Sequence, residues 1–120
     1  MLKEKNKMKK LIIDATGNSI FLMIINNNDV YSITHKNTKT NYEKLMILIE
    51  NFLSSKNIQL KAISEIYVNS GPGSFAGIRN SIAVIKAIHL VTKIDYYCYS
   101  FEDFKDMNEI KHENIPILCD

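Results

Sequence analysis

The sequence is short of cysteine, proline and glycine, with two, two and four of them among 120 residues. Each scarcity excludes something. Cys98 and Cys119 are too few and too far apart for a zinc site or a disulfide framework, so both are expected as buried small hydrophobes. Low proline and glycine exclude collagen-like and low-complexity chains. The apolar run behind the N-terminal lysines, Leu11-Ile12-Ile13, is too short for a membrane span or the core of a secretory leader. The formal net charge is only +2, from lysines scattered along the chain without a concentrated basic face, so composition gives no sign of direct nucleic-acid binding. His35, His89 and His112 show no H-x-x-x-H spacing and no adjacent cysteine or carboxylate constellation. Neither a metal site nor a nucleophile and base can be assembled from them.

What is present is an ordinary globular composition, 46% hydrophobic and 23% charged, in a chain long enough to bury one core. The expected organisation is a flexible basic N-terminus over 1–9 and a single domain over 10–120. A cytoplasmic protein without a membrane segment is predicted. Lys10–Asp14 and Ile20–Asn26 pattern as strands around the turn Ala15-Thr16-Gly17-Asn18-Ser19, and Val30–Ile33 supplies a third strand after Asn26-Asn27-Asn28-Asp29. From Tyr42 to Lys56 the period becomes helical, through Leu45, Leu48, Ile49, Phe52 and Leu53, with Thr40 or Asn41 as N-cap. Ile63–Asn69 reads as a strand leading into a helix over about 75–91, and Ile94–Tyr99 as another strand. A short helix over about 100–107 and a strand over 115–119 complete the pattern. The order β-β-β-α-β-α-β-α-β predicts an α/β fold with a mixed sheet whose later parallel strands need crossover helices, resembling a ribonuclease-H-like unit or one lobe of the actin-like (ASKHA) fold.

The densest turn signal is Ser70-Gly71-Pro72-Gly73-Ser74. Its glycines permit a sharp turn, and Ser74 can cap the helix that follows. Two readings stand: a structural strand-to-helix turn, or a phosphate cradle in which Gly71, Gly73 and Ser74 act with the helix N-terminus. The Gly-Lys-Ser/Thr ending of a Walker A loop is absent, and the turn does not fit the dinucleotide fingerprint. Asp14, ending the first strand, is either a carboxylate that binds its own turn or one that helps hold a metal-bound phosphate.

The helix after the turn is apolar on two sides. At 100° steps, Phe75, Ile78, Ile82, Ile85 and Leu90 form one stripe, and Ala76, Ala83, Val84, Ala87, Ile88 and Val91 another. One stripe suffices to cover a sheet. The small-residue stripe is left for the chain's own first helix or for a partner, and Ile47 on that first helix is a further apolar residue off its main stripe.

The run Gly71-Pro72-Gly73-Ser74-Phe75-Ala76-Gly77-Ile78-Arg79 closely resembles the G-P-G-S-F-T-G-L-R signature of the TsaB family. Leu11-Ile12-Ile13-Asp14-Ala15-Thr16 is similar to that family's opening I-D-T-S strand, and Ser100-Phe101-Glu102 to its S-L-E segment. The resemblance covers about 11–120. It departs at Ala76, which replaces the signature threonine, at Asn41-Tyr42-Glu43 in place of H-S-E, and at Asp14-Ala15-Thr16 in place of D-T-S. Ile115–Asp120 resembles the opening strand of the family's second lobe, which is otherwise expected to be missing. The resemblance implies a non-catalytic dimerisation subunit in tRNA threonylcarbamoyladenosine synthesis, with no cofactor of its own. It also implies pairing through helices with the catalytic subunit TsaD, contact with a TsaE-like ATPase through that complex, a homodimer through the same helices, and only indirect contact with tRNA. Carried onto this sequence, the pairing face comprises Ile47, Ala76, Arg79, Asn80, Ala83, Val84, Ala87, Ile88 and Val91.

Overall fold

The computed structural model describes residues 8–100. The stretch 1–7, the expected helix beyond Ser100 and the strand over 115–119 lie outside the described residues. Strands β1 (Lys9–Asp14), β2 (Ser19–Asn26) and β3 (Asp29–Lys36) form the antiparallel meander read from the turn signals. Asn27 takes the left-handed conformation in the two-residue β2–β3 turn, which asparagine tolerates better than most residues. Helices α1 (Lys39–Glu43) and α2 (Leu45–Ser55) then lead through a short 3-10 turn (Leu60–Ala62) to β4 (Glu65–Asn69). Helix α3 (Phe75–Thr92) crosses over to β5 (Asp95–Tyr99). The sheet order is β3-β2-β1-β4-β5, with β1 antiparallel to β2 and β4 parallel to both β1 and β5. This is the mixed sheet of a ribonuclease-H-like lobe.

Where one helix is predicted over Tyr42–Lys56, two occur. Thr38, in extended geometry, caps α1 by accepting from the Asn41 N–H at 3.1 Å, two residues before the expected cap. At Lys44 the backbone leaves helical geometry, with φ −102° and ψ 14°. The break separates α1, which has no buried residue, from α2, whose Leu45, Ile49, Phe52 and Leu53 lie in the core.

Strand alternation divides the interior. Leu11, Ile13, Leu22, Ile24, Ile66 and Val68 face the helices, while Ile12, Met23, Tyr67 and Tyr99 form a second cluster on the other face of the sheet. Burying a Leu or Ile side chain contributes about 1.5–3 kcal/mol, so the helix-side cluster dominates stability. Cys98 is half-buried against that cluster, and Cys119 lies outside the described residues.

On the other face, the Tyr67 hydroxyl donates to Glu65 Oε1 at 2.7 Å, and Tyr67 stacks on Tyr97. Burial pushes the Tyr67 phenol upward, and the hydrogen bond and negative charge of Glu65 add to it. Burial likewise raises Tyr99, with Asp14 contributing. A phenol harder to ionise in the folded chain stabilises the fold at pH values below the ordinary phenol value of 10.0, and that stabilisation is lost as pH climbs above it. Alkaline titration followed at 295 nm is therefore expected to show two tyrosines ionising only as circular dichroism reports unfolding. Normal titration of all six tyrosines in a folded chain would contradict this.

Candidate functional site

The glycine-rich turn is held against the β1–β2 turn by a continuous set of hydrogen bonds. Asp14 Oδ1 accepts from the Thr16 N–H at 3.0 Å and the Thr16 hydroxyl at 2.7 Å. Asp14 Oδ2 accepts from Asn69 Nδ2 at 3.1 Å, and Asn69 Oδ1 accepts from the Gly71 N–H at 2.9 Å. Asn69 is fully buried at the end of β4. It thereby couples the carboxylate ending β1 to the first amide of the glycine loop. Asp14, Thr16, Gly17, Asn18, Thr34 and Pro72 surround an open hollow of about 360 Å³.

The glycines are there for close approach. Gly71 sits at φ 110° and Gly73 at φ 157°. A Cβ on Gly73 would fall 2.4 Å from the Thr16 carbonyl oxygen, and one on Gly77 would fall 1.9 Å from the Ala15 carbonyl oxygen. The Ser74 N–H donates to that Thr16 oxygen at 2.8 Å. Ser74 Oγ caps α3 by accepting from the Gly77 N–H at 3.1 Å and lies 3.0 Å from the Tyr42 hydroxyl of α1. The amides of Gly71, Ser74 and Gly77 are thus engaged within the protein. Among the described residues, no group of three or more His, Cys, Asp or Glu side chains is arranged to hold a metal.

Helix α3 turns Gly77, Ser81, Ile85 and Ile88 into the interior. The stripe expected to cover the sheet is therefore rotated: Phe75 is 75% exposed and Leu90 71%. Glycine at 77 allows the first turn of α3 to lie on the Ala15 backbone, and the buried Ser81 donates back to the Gly77 carbonyl at 2.8 Å. Of the residues assigned to a pairing face, Ala76, Arg79, Ala83, Ala87 and Val91 are exposed on α3, and Ile47 is exposed on α2. Asn80 and Val84 are half-buried at the margin. Ile88 lies in the core, 3% exposed, and is set apart from the others. The Arg79 guanidinium stacks over the Phe75 ring at 5.5 Å. Two grooves flank the ridge: Met46, Glu50, Ala87 and Val91 line one of about 270 Å³, and Lys39, Tyr42, Glu43, Ala76 and Arg79 line one of about 340 Å³.

A family model described as TsaD, tRNA N6-adenosine threonylcarbamoyltransferase, matches residues 33–100, which include the second half of β3, all three helices and the glycine-rich turn. Two curated proteins named tRNA threonylcarbamoyladenosine biosynthesis protein TsaB, both from Buchnera aphidicola, are similar in sequence. The one from the Schizaphis graminum subspecies is 28% identical, over 72% of this chain and 41% of its own length. The one from the Baizongia pistaciae subspecies is 35% identical, over 49% of this chain and 31% of its own. The chain belongs to the TsaD-like family, on its TsaB branch.

Solved structures agree on the fold. YeaZ from Pseudomonas aeruginosa superposes with a TM-score of 0.71 at 18% identity, covering 78% of this chain and 44% of that one. RuvC of T. thermophilus superposes with a TM-score of 0.55 at 9% identity. The chain spans less than half the length of the TsaB proteins and of YeaZ. Within this TsaB-like lobe, sequence reading singled out Gly71, Gly73, Ser74 and Asp14 but missed Asn69, which joins them. The signal available was a polar residue closing an otherwise apolar strand directly before the turn. Phe75 and Leu90 were missed as members of the exposed ridge, because apolar character was taken to mean burial.

Proposed function

We propose that this TsaB-like lobe is a non-catalytic subunit in the formation of threonylcarbamoyladenosine in tRNA, acting by docking the exposed ridge of α3 on a TsaD-like catalytic subunit. The observation that carries the reading is an apolar, small-residue surface, Ala76, Ala83, Ala87, Leu90 and Val91, left uncovered by the chain's own α2. Small residues allow a second helix to approach closely, and the flanking grooves accept larger side chains from it. Ile47 extends the surface onto α2, and Arg79, held on Phe75, supplies a charged rim. Contact with a TsaE-like ATPase and with tRNA then follows through the catalytic subunit, in the cytoplasm where tRNA is modified.

A second reading, a nucleotide- or phosphate-binding module at Asp14, Gly71, Gly73 and Ser74, draws on the hollow beside Asp14. The geometry favours it less. Of the amides that would cradle a phosphate, those of Gly71 and Ser74 are engaged, and the Asp14 carboxylate already accepts three hydrogen bonds.

Co-purification of the chain with its cognate TsaD-like subunit tests the proposal. Capture is expected from the unmodified chain, with at least a thirtyfold loss of affinity in Ala87→Arg at unchanged thermal stability, as for a central contact worth about 2 kcal/mol. No capture by the unmodified chain would overturn it. Micromolar binding of ATP and Mg²⁺ by the isolated chain, read by calorimetry, would favour the second reading.

A further inference from the structure

The outer edge of β3 has no part in the ridge on α3, and it has the form of an unused pairing edge. β3 ends the sheet, spans eight residues and contains no proline or bulge. Its interior carries none of the lysines with which natural proteins blunt an edge. The β2–β3 turn has two residues, so the closing pair Asn26 and Asp29 is hydrogen-bonded, and alternation directs the backbone N–H and C=O groups of Val30, Ser32 and Thr34 away from β2. Among the described residues, nothing bonds to those groups. Val30 and Ile33 are 49% and 38% exposed.

We infer that this edge pairs antiparallel with the same edge of a second copy, joining two five-stranded sheets into one of ten. Self-complementarity at a single register selects the occupant. With Ser32 on the two-fold axis, Val30 lies opposite Thr34 of the second copy, and both belong to the set with outward-directed amides. On the helix side of the sheet, Tyr31 then faces Ile33, an aromatic and β-branched cross-strand pair, and Asp29 faces His35, a carboxylate beside an imidazole. Each contact occurs twice by symmetry, and no like charges are opposed. Lys56, directly after α2, already caps the Tyr31 ring at 4.8 Å, so that side chain is held in place before pairing. The helix ridge is left free, so the pairing is compatible with docking of a catalytic subunit and independent of it.

Sedimentation of the full chain between 1 and 200 micromolar, on the order of concentrations where weak dimers form, tests the inference. A concentration-dependent dimer is expected. Ser32→Pro removes the N–H at the two-fold axis without removing a bond to β2, and is expected to weaken the dimer at least about tenfold. The double variant Val30→Lys with Thr34→Lys, at two exposed positions, sets lysine against lysine and tests the same contact without a proline. Its circular dichroism should match the unmodified chain while its dimer is lost. A monomer at every concentration, or a dimer that survives the double lysine variant, would overturn the inference. So would a dimer dissociated by Ala87→Arg, which belongs to the helix ridge.

Discussion

Gly77→Ala is expected to destabilise the lobe by about 2–3 kcal/mol, a large share of the roughly 5–15 kcal/mol that holds a domain together. Helix propensity alone predicts the opposite sign, since alanine in a helix interior is better than glycine by about 1 kcal/mol. The contact overrides the propensity because the new Cβ would meet the Ala15 carbonyl oxygen at 1.9 Å. That atom is backbone at the end of β1 and cannot rotate away. Either α3 lifts from the sheet, loosening Ser81, Ile85 and Ile88, or the β1–β2 turn shifts and loses the Ser74 N–H bond to Thr16. Urea unfolding midpoints decide between the two signs. Gly17→Ala is the control: its Cβ would meet nothing within 4 Å, so a change under about 0.5 kcal/mol is expected. A Gly77→Ala chain more stable than the parent would show that the close approach of α3 is not enforced.

Asp14→Ala is expected to cost about 3 kcal/mol, because three donors lose their acceptor together: the Thr16 amide, the Thr16 hydroxyl and Asn69 Nδ2. Water can reach the half-buried Asp14 side and replace part of the loss at Thr16. It cannot readily reach Asn69, which is fully buried. The released Asn69 would also hold the Gly71 amide less firmly, so faster hydrogen exchange at Gly71 is a second expected readout. Asp14→Asn should fall between, since its amide retains one oxygen for Thr16 but presents a donor to Asn69 on the other side. Unchanged stability and unchanged exchange in Asp14→Ala would mean that the carboxylate does not serve the turn. Its value would then have to lie in binding a ligand.

Strand identity was legible because alternation is a local signal: Leu11 and Ile13, Leu22 and Ile24, and Ile66 and Val68 all fall on one face as their spacing requires. The start of α3 was legible for the same reason, since Ser74 precedes it with capping chemistry that operates over three residues. The first helix was legible in its apolar stripe but not in its break at Lys44, where neither glycine nor proline marks the change. The exposed ridge was read half correctly. Ala76, Ala83, Ala87 and Val91 were placed on one side of α3, but Ile88 was grouped with them although it is buried. On a helix this apolar, periodicity shows that stripes exist and leaves open which of them meets the sheet.

By itself, then, the sequence determined the order of elements over the described residues, apart from the break at Lys44, together with the mixed sheet they form, the glycine-rich turn and the family to which that turn belongs. Tertiary structure decided the rotation of α3 and the partners of Asp14. The physical reason is range. Propensity, capping and alternation act between residues a few positions apart. The choice of Gly77 for the buried face is made by a backbone about 60 positions earlier, where the Ala15 carbonyl leaves no room for a larger side chain.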